Sequence, residues 1–312
     1  MSRRLVLLLC LFMLPVGVRA ESLDYHLVPR QVAPDVWVFE GANADFAPGN
    51  GCNIINTGFI DTGDGVLVIN TGPSALYGAQ QRRAIGRVTS APVRWVLNLN
   101  LHPDDFFGNQ AYADVGAQAL PGTITGTQQE GAAYADNLYR LCGNWMHDTV
   151  PTPATQPLTP GQRTFGRHRI DLIRLNGHTG DDLVLVDRTS GVVFAGGLAF
   201  RDRIPTTPHA DLARWLASLD ALQSIVARSG ARVLVPSHGP AFGHADAVAQ
   251  TRQYLLWLDT RLRRAAEEGR DLAEVLAMPV APEYARWGGM PAEYVRNVTR
   301  FYPRYESAVL AH

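Results

Sequence analysis

The chain has 312 residues, a formal net charge of −1, 46% hydrophobic residues and 18% charged ones. That balance describes a globular protein with a sizeable core and excludes a disordered chain, and the lack of any basic block argues against an electrostatic nucleic-acid partner. Every cation is arginine or histidine, so chemistry through a lysine nucleophile or a lysine Schiff base is excluded.

Residues 1–20 read as a secretion signal. Arg3 and Arg4 precede the apolar run from Leu5 to Leu14, and Val18-Arg19-Ala20 supplies a cleavage site ahead of Glu21. This predicts a periplasmic or secreted protein with no membrane span after cleavage. Leucine-rich export fits better than the twin-arginine route faintly suggested by Ser2-Arg3-Arg4. Cys10 leaves with the signal. Cys52 and Cys142 remain as either a disulfide or two buried thiols, and neither belongs to a C-x-x-C pair.

Short β-branched runs at residues 36–39, 53–56 and 66–70 predict strands separated by Gly and Asp turns such as Thr62-Gly63-Asp64-Gly65. A helix capped by Ser74 is expected to run to about Val88, followed by a strand over 93–97. Residues 108–149 read as mostly helical, and the Pro- and Thr-rich 150–160 as a surface loop. A second β series is expected at 170–175, 183–186 and 192–194, then a helix after His209 and Asp211, then a strand at 231–235. Everything from Ala245 onward reads as helical. Two β-plus-helix halves predict an α/β fold, a four-layer αββα sandwich rather than a doubly wound parallel sheet. The expected organisation is a signal at 1–20, a domain at 21–244, and a helical extension at 245–312 packed on that domain.

Four apolar runs end near residues that bind metals, or where one is expected. Trp95-Val96-Leu97 leads to His102, Asp104 and Asp105. Leu172-Ile173-Arg174-Leu175 leads to His178. Val192-Val193-Phe194 leads to Gly196-Gly197, and Val233-Leu234-Val235 leads to His238. Strands lying side by side would bring these ends to one edge. Each residue also has a plainer role open to it. His102 and His178 could be hydrogen-bonded edge residues, and Asp104 and Asp105 could cap a helix. Ser237 beside His238 carries little weight as a nucleophile pair without a Gly-x-Ser-x-Gly elbow. His26, His168, His244 and His312 read as surface or structural residues, whereas loops bearing His147 and His209 could overhang the site.

In order and spacing the motifs resemble a metallo-β-lactamase-fold hydrolase over nearly the whole mature chain. More closely they resemble the quinoprotein relay system zinc metallohydrolases, on residues 31–38, 53–59, Thr71-Gly72-Pro73-Ser74, His102-Pro103-Asp104 and Phe107-Gly108-Asn109. The resemblance implies two zinc positions fed by a His-x-His-x-Asp-His turn, the histidines matching His178 and His238, and a bridging Asp. It also implies hydrolysis by metal-bound hydroxide, because zinc lowers the pKa of bound water to about 7. This chain departs from that pattern at Asn100, Asp105 and Gly197, which replace two His ligands and the bridge, and at Asn70, which replaces a supporting Asp.

Two functions follow as expectations. The first is a hydrolase attacking an ester, thioester, lactone or amide at a reduced, mononuclear site. His102, His178 and one carboxylate would hold the ion, or Asp104, Asp105 and His238 would as an oxygen-richer set, with Asp104 as ligand or general base. The cofactor would be one zinc ion, with manganese or iron(II) as alternatives. The second is an inactive descendant that binds a small molecule or a partner, with a periplasmic quinoprotein system as one candidate.

Overall fold

The computed structural model describes residues 23–244 and 246–310. The expected signal with Cys10, and His312, lie outside them. The first half contains β1 (Arg30–Ala33), β2 (Val36–Phe39), β3 (Thr57–Asp61), β4 (Val66–Ile69), α1 (Ala75–Val88), β5 (Val93–Leu97), the one-turn α2 (Pro103–Phe106), β6 (Gln118–Ala119), α3 (Pro121–Cys142) and β7 (Gln156–Pro157). The second contains β8 (Gly161–Phe165), β9 (His168–Leu175), β10 (Asp182–Asp187), β11 (Val192–Phe194), α4 (Leu212–Ser229) and β12 (Val233–Val235). The helices α5 (Ala247–Glu267), α6 (Leu272–Ala277) and α7 (Ala292–Leu310) follow.

Strands β1 to β7 form one sheet in sequence order, antiparallel as far as β4 and parallel from β4 onward. The second sheet runs β12-β11-β10-β9-β8, with only β11 and β12 parallel. Side chains alternate across each strand, and both faces of the central strands are covered, so these strands read as continuous apolar runs. In β4, Leu67 and Ile69 join Ile170, Leu172, Leu183 and Leu185 between the sheets, while Val66 and Val68 turn out toward Tyr77, Ala84 and Ile85 of α1. In β10, Val184 and Val186 turn out toward Trp215 and Leu219 of α4 and toward residues of α5 and α7. The result is the expected αββα sandwich, with the C-terminal helices on the outer face of the five-stranded sheet. No helix among the described residues is long and apolar enough to cross a membrane.

Helix starts follow local chemistry. Ser74 accepts from the Tyr77 amide ahead of α1, and Asp211 accepts from the Arg214 amide ahead of α4. Two expectations need correction. Residues 53–56 do not form a strand; Ile55 makes a single bridge to His238, and the ladder begins at Thr57. Nor do the four ligand-bearing strands lie side by side, because β5 is in one sheet while β9, β11 and β12 are in the other. Their ends meet because the sheets are stacked.

Cys52 and Cys142 form a disulfide with Cα atoms 6.0 Å apart. It ties the end of α3 to the segment before β3 and sits among Phe106, Phe107, Leu138 and Met146. Such a bond suits an oxidising compartment.

Candidate functional site

The turn after β5 is fixed by amides. Asn98 Nδ2 donates to Asp105 O and to Asn109 Oδ1, and Asn109 Nδ2 returns a bond to Asn98 Oδ1. Thr71 adds its hydroxyl to Asn109 Oδ1 at 2.9 Å. Asn70, buried with a left-handed φ of 56°, accepts from the Leu99 amide; asparagine tolerates that backbone better than most residues. The turn thus keeps a defined shape although two of its expected ligands are replaced.

On this frame His102, Asp104, Asp105, His178 and His238 come together, all buried. The His102 and His178 rings meet edge to face with centroids 4.6 Å apart. His178 Nδ1 lies 3.0 Å from Asp182 Oδ1, and its ring packs against Trp215 and Phe200. His238 stacks on Phe200, donates from Nδ1 to the Ile54 carbonyl at 2.9 Å, and turns Nε2 toward Asp104 Oδ2 at 3.6 Å. Ser237 Oγ makes no hydrogen bond, so no Ser–His nucleophile pair exists. Above them His209, from the loop before α4, places Nδ1 3.1 Å from His102 Nε2. His209 Nε2 in turn reaches Glu130 Oε2 of α3 at 2.9 Å.

Burial governs the protonation of the cluster. It pushes the Asp104 carboxyl up to about 6, against backbone hydrogen bonding and the positive charge of Arg203. Asp105 is pushed well above the ordinary carboxylate range by burial and then by the charges of Asp104 and Asp182, with Asn100 and Asn70 opposing. His102 is held well below the ordinary imidazole range by burial and by its neighbours His178, His209 and His238. His238 is lowered by burial and by Arg203. The expected result is a neutral imidazole at His102 and at His238. The Ile54 carbonyl can only accept, so Nδ1 carries the proton of His238. Long-range ¹H–¹⁵N spectra at about pH 6, where an ordinary histidine is largely protonated, should show His238 as the neutral Nδ1–H tautomer. A cationic ring at that pH would contradict this assignment.

A cleft of about 650 Å³ opens over His102, Asp104 and His238, between α3 on one side and α7 on the other. A sequence match to the metallo-beta-lactamase superfamily spans residues 50–238 and so includes every residue of the cluster described above. The chain belongs to the metallo-beta-lactamase superfamily. No curated protein gives a significant sequence match. Solved structures with this fold include a metallo-beta-lactamase from Pontibacter korlensis, 20% identical with a TM-score of 0.60, covering 74% of this chain and 99% of that one. The metallo-beta-lactamase IND-7 is 16% identical with a TM-score of 0.61, over 75% of this chain and all of that one. FIM-1 from Pseudomonas aeruginosa, solved in a mono-zinc form, is 21% identical with a TM-score of 0.58, over 74% of this chain and 95% of its own. At these identities the likeness carries the fold alone.

The donors of this superfamily member do not fit the two-metal centre implied for it. Asn100 turns both polar atoms inward, Nδ2 to Asp105 Oδ1 at 3.1 Å and Oδ1 to the His102 amide at 2.8 Å. His102 Nε2 faces another imidazole. At Gly197, where the bridging carboxylate is expected, an added Cβ would stand 2.0 Å from His178 Nδ1, so the ring occupies that space. Asp104 Oδ2, Asp105 Oδ2 and His178 Nε2 are buried without hydrogen-bond partners. Yet among the described residues no three His, Cys, Asp or Glu side chains are placed to hold a metal ion.

Sequence reasoning singled out His209 as a residue that could overhang the site, and it does. His147 instead pairs with Asp148 at 2.9 Å on the surface. His168 is a buried structural residue 2.7 Å from Asp187, while His26 and His244 are exposed. Three participants carried no sequence signal: Glu130, Arg203 and Glu293. Arg203 is wholly buried, sits 3.6 Å from Glu293 Oε1 and acts electrostatically on Asp104 and His238.

Proposed function

We propose that the protein is a small-molecule-binding member of its superfamily that has kept the cleft and lost the two-zinc centre. The observation that carries this reading is the cleft itself, about 650 Å³ and floored by His102, Asp104 and His238, with His102 Nε2 engaged by His209. That volume falls within the range of pockets that enclose small organic ligands. The competing reading is a metal-held hydroxide attacking an ester, thioester, lactone or amide, at one zinc, manganese or iron(II) held by His102, Asp104, Asp105, His178 and His238. It requires His102 Nε2 to leave His209, and the geometry supports it less well. A periplasmic setting, with the quinoprotein link implied by the sequence, is part of the proposal; the leader-like residues 1–20 and the disulfide support the compartment.

The test is metal content by mass spectrometry on untagged protein purified from the periplasm without added metal. We expect well under one ion per chain and a melting temperature unmoved by a chelator, since a ligand that binds only the folded state would raise it. About one zinc, manganese or iron per chain, lost in His102→Ala, would overturn the proposal and return the hydrolase reading.

A further inference from the structure

The cleft has two walls of different origin. One is α3, tied down at its C-terminal end by the disulfide. The other is α7, which lies beyond the segment matching the superfamily, since that match ends at residue 238. Phe46, Leu138, Leu141 and Val295 give the cleft an apolar lining. Arg140 from α3 and Arg300 from α7 also line it, and both are exposed, which puts them at its mouth.

The charges facing this space do not cancel. Glu293 is committed to Arg203 and Arg296, and Arg296 also holds Asp45 at 2.7 Å. Glu130 faces His209. Asp104 lies on the floor beside His238 and feels the positive charge of Arg203. Arg140 donates to the neutral amide of Asn137, and Arg300 to the Pro208 carbonyl. Among the described residues neither is in an ion pair with a carboxylate, so each keeps guanidinium donors for a ligand. Arginine suits planar oxyanions because its fork offers two parallel donors.

We propose that the cleft binds an organic anion with an apolar body, the body lying against Leu138, Leu141 and Val295 and the anionic group held at the mouth by Arg140 and Arg300. This rests on the binding reading above and specifies its ligand class. It also gives the C-terminal extension a role, since α7 supplies half of the recognition.

The test uses two fluorescent probes with the same apolar body, 8-anilino-1-naphthalenesulfonate and the uncharged N-phenyl-1-naphthylamine, titrated into the full chain. The sulfonate should bind at one site about tenfold or more tighter than the neutral probe, as expected for charge-assisted hydrogen bonds. The double variant Arg140→Gln/Arg300→Gln should bring the sulfonate to the affinity of the neutral probe and leave the neutral probe unchanged. Both positions are exposed, so folding should survive, and an unchanged melting temperature checks that. Leu141→Trp, which narrows the cleft, should weaken both probes. Equal affinities that ignore the arginine variant would overturn the anion proposal while leaving the binding reading intact. Binding of neither probe, or binding untouched by Leu141→Trp, would overturn both.

Discussion

Replacing Arg203 with methionine should cost about 3–5 kcal/mol of stability, the range for breaking a buried ion pair by removing one partner. The guanidinium is fully buried between the site and α7; it donates to the Ala44 carbonyl and lies 3.6 Å from Glu293 Oε1. Methionine fills much of the volume but leaves Glu293 with only Arg296 and Thr206, and leaves Asp104 without a cation that favours its ionised form. Urea unfolding of the variant gives the loss directly. Adding Glu293→Gln should recover part of it, because the second change removes the carboxylate left behind. A separate signature is electrostatic. Arg203 lowers the His238 pKa, so Arg203→Met should raise the pH at which that imidazole titrates. A loss below about 1 kcal/mol, the usual worth of an exposed pair, would show that Arg203 is not the internal cation of this site.

Restoring the expected bridging carboxylate should damage the protein rather than rebuild a metal centre. Gly197→Asp places Cβ 2.0 Å from His178 Nδ1 and 2.1 Å from its Cε1. The ring is itself held by Asp182, Trp215 and Phe200. Overpacking of this kind costs about 1–3 kcal/mol or more, and an unpaired buried carboxylate adds to it. We expect Gly197→Asp to lose about 3–5 kcal/mol, or to accumulate as insoluble protein. Gly197→Ala should lose less, since it carries the clash without the charge. Removing the ring in Gly197→Ala/His178→Ala should make the double change cheaper than the sum of the two, which identifies His178 as the obstacle. A stable Gly197→Asp protein, or one that takes up two zinc ions once Asn100→His and Asp105→His are added, would show that the closed arrangement is not intrinsic to this chain.

Most of the scaffold was legible in the sequence because its signals are local. The cap at Ser74 depends on residues three apart, and the runs at 36–39, 66–70 and 192–194 reflect burial on both faces of a strand. Residues 53–56 misled for a physical reason. Ile54 and Ile55 are as apolar and buried as strand residues, but they are buried by packing and by the bridge to His238 rather than by a ladder. Asn70 was flagged only through the resemblance, and asparagine at 98 and 109 gave no hint that it holds the turn, because amide networks show no periodicity.

The sequence by itself determined the four-layer architecture, the converging residues His102, Asp104, Asp105, His178 and His238, and the replacements at Asn100 and Gly197. The architecture and the converging residues rest on residue type and order, the replacements on the resemblance to the family pattern. Only the tertiary structure decided what those residues do to one another. His209 meets His102 across 107 positions, and Arg203 meets Glu293 across 90. Cys52 joins Cys142 across 90 positions. The His178 ring fills the space beside Gly197, and α7 closes the cleft with Arg300. Each is a matter of a few ångströms between segments distant in the chain, and such distances are set by how the sheets and helices stack, which no local pattern encodes.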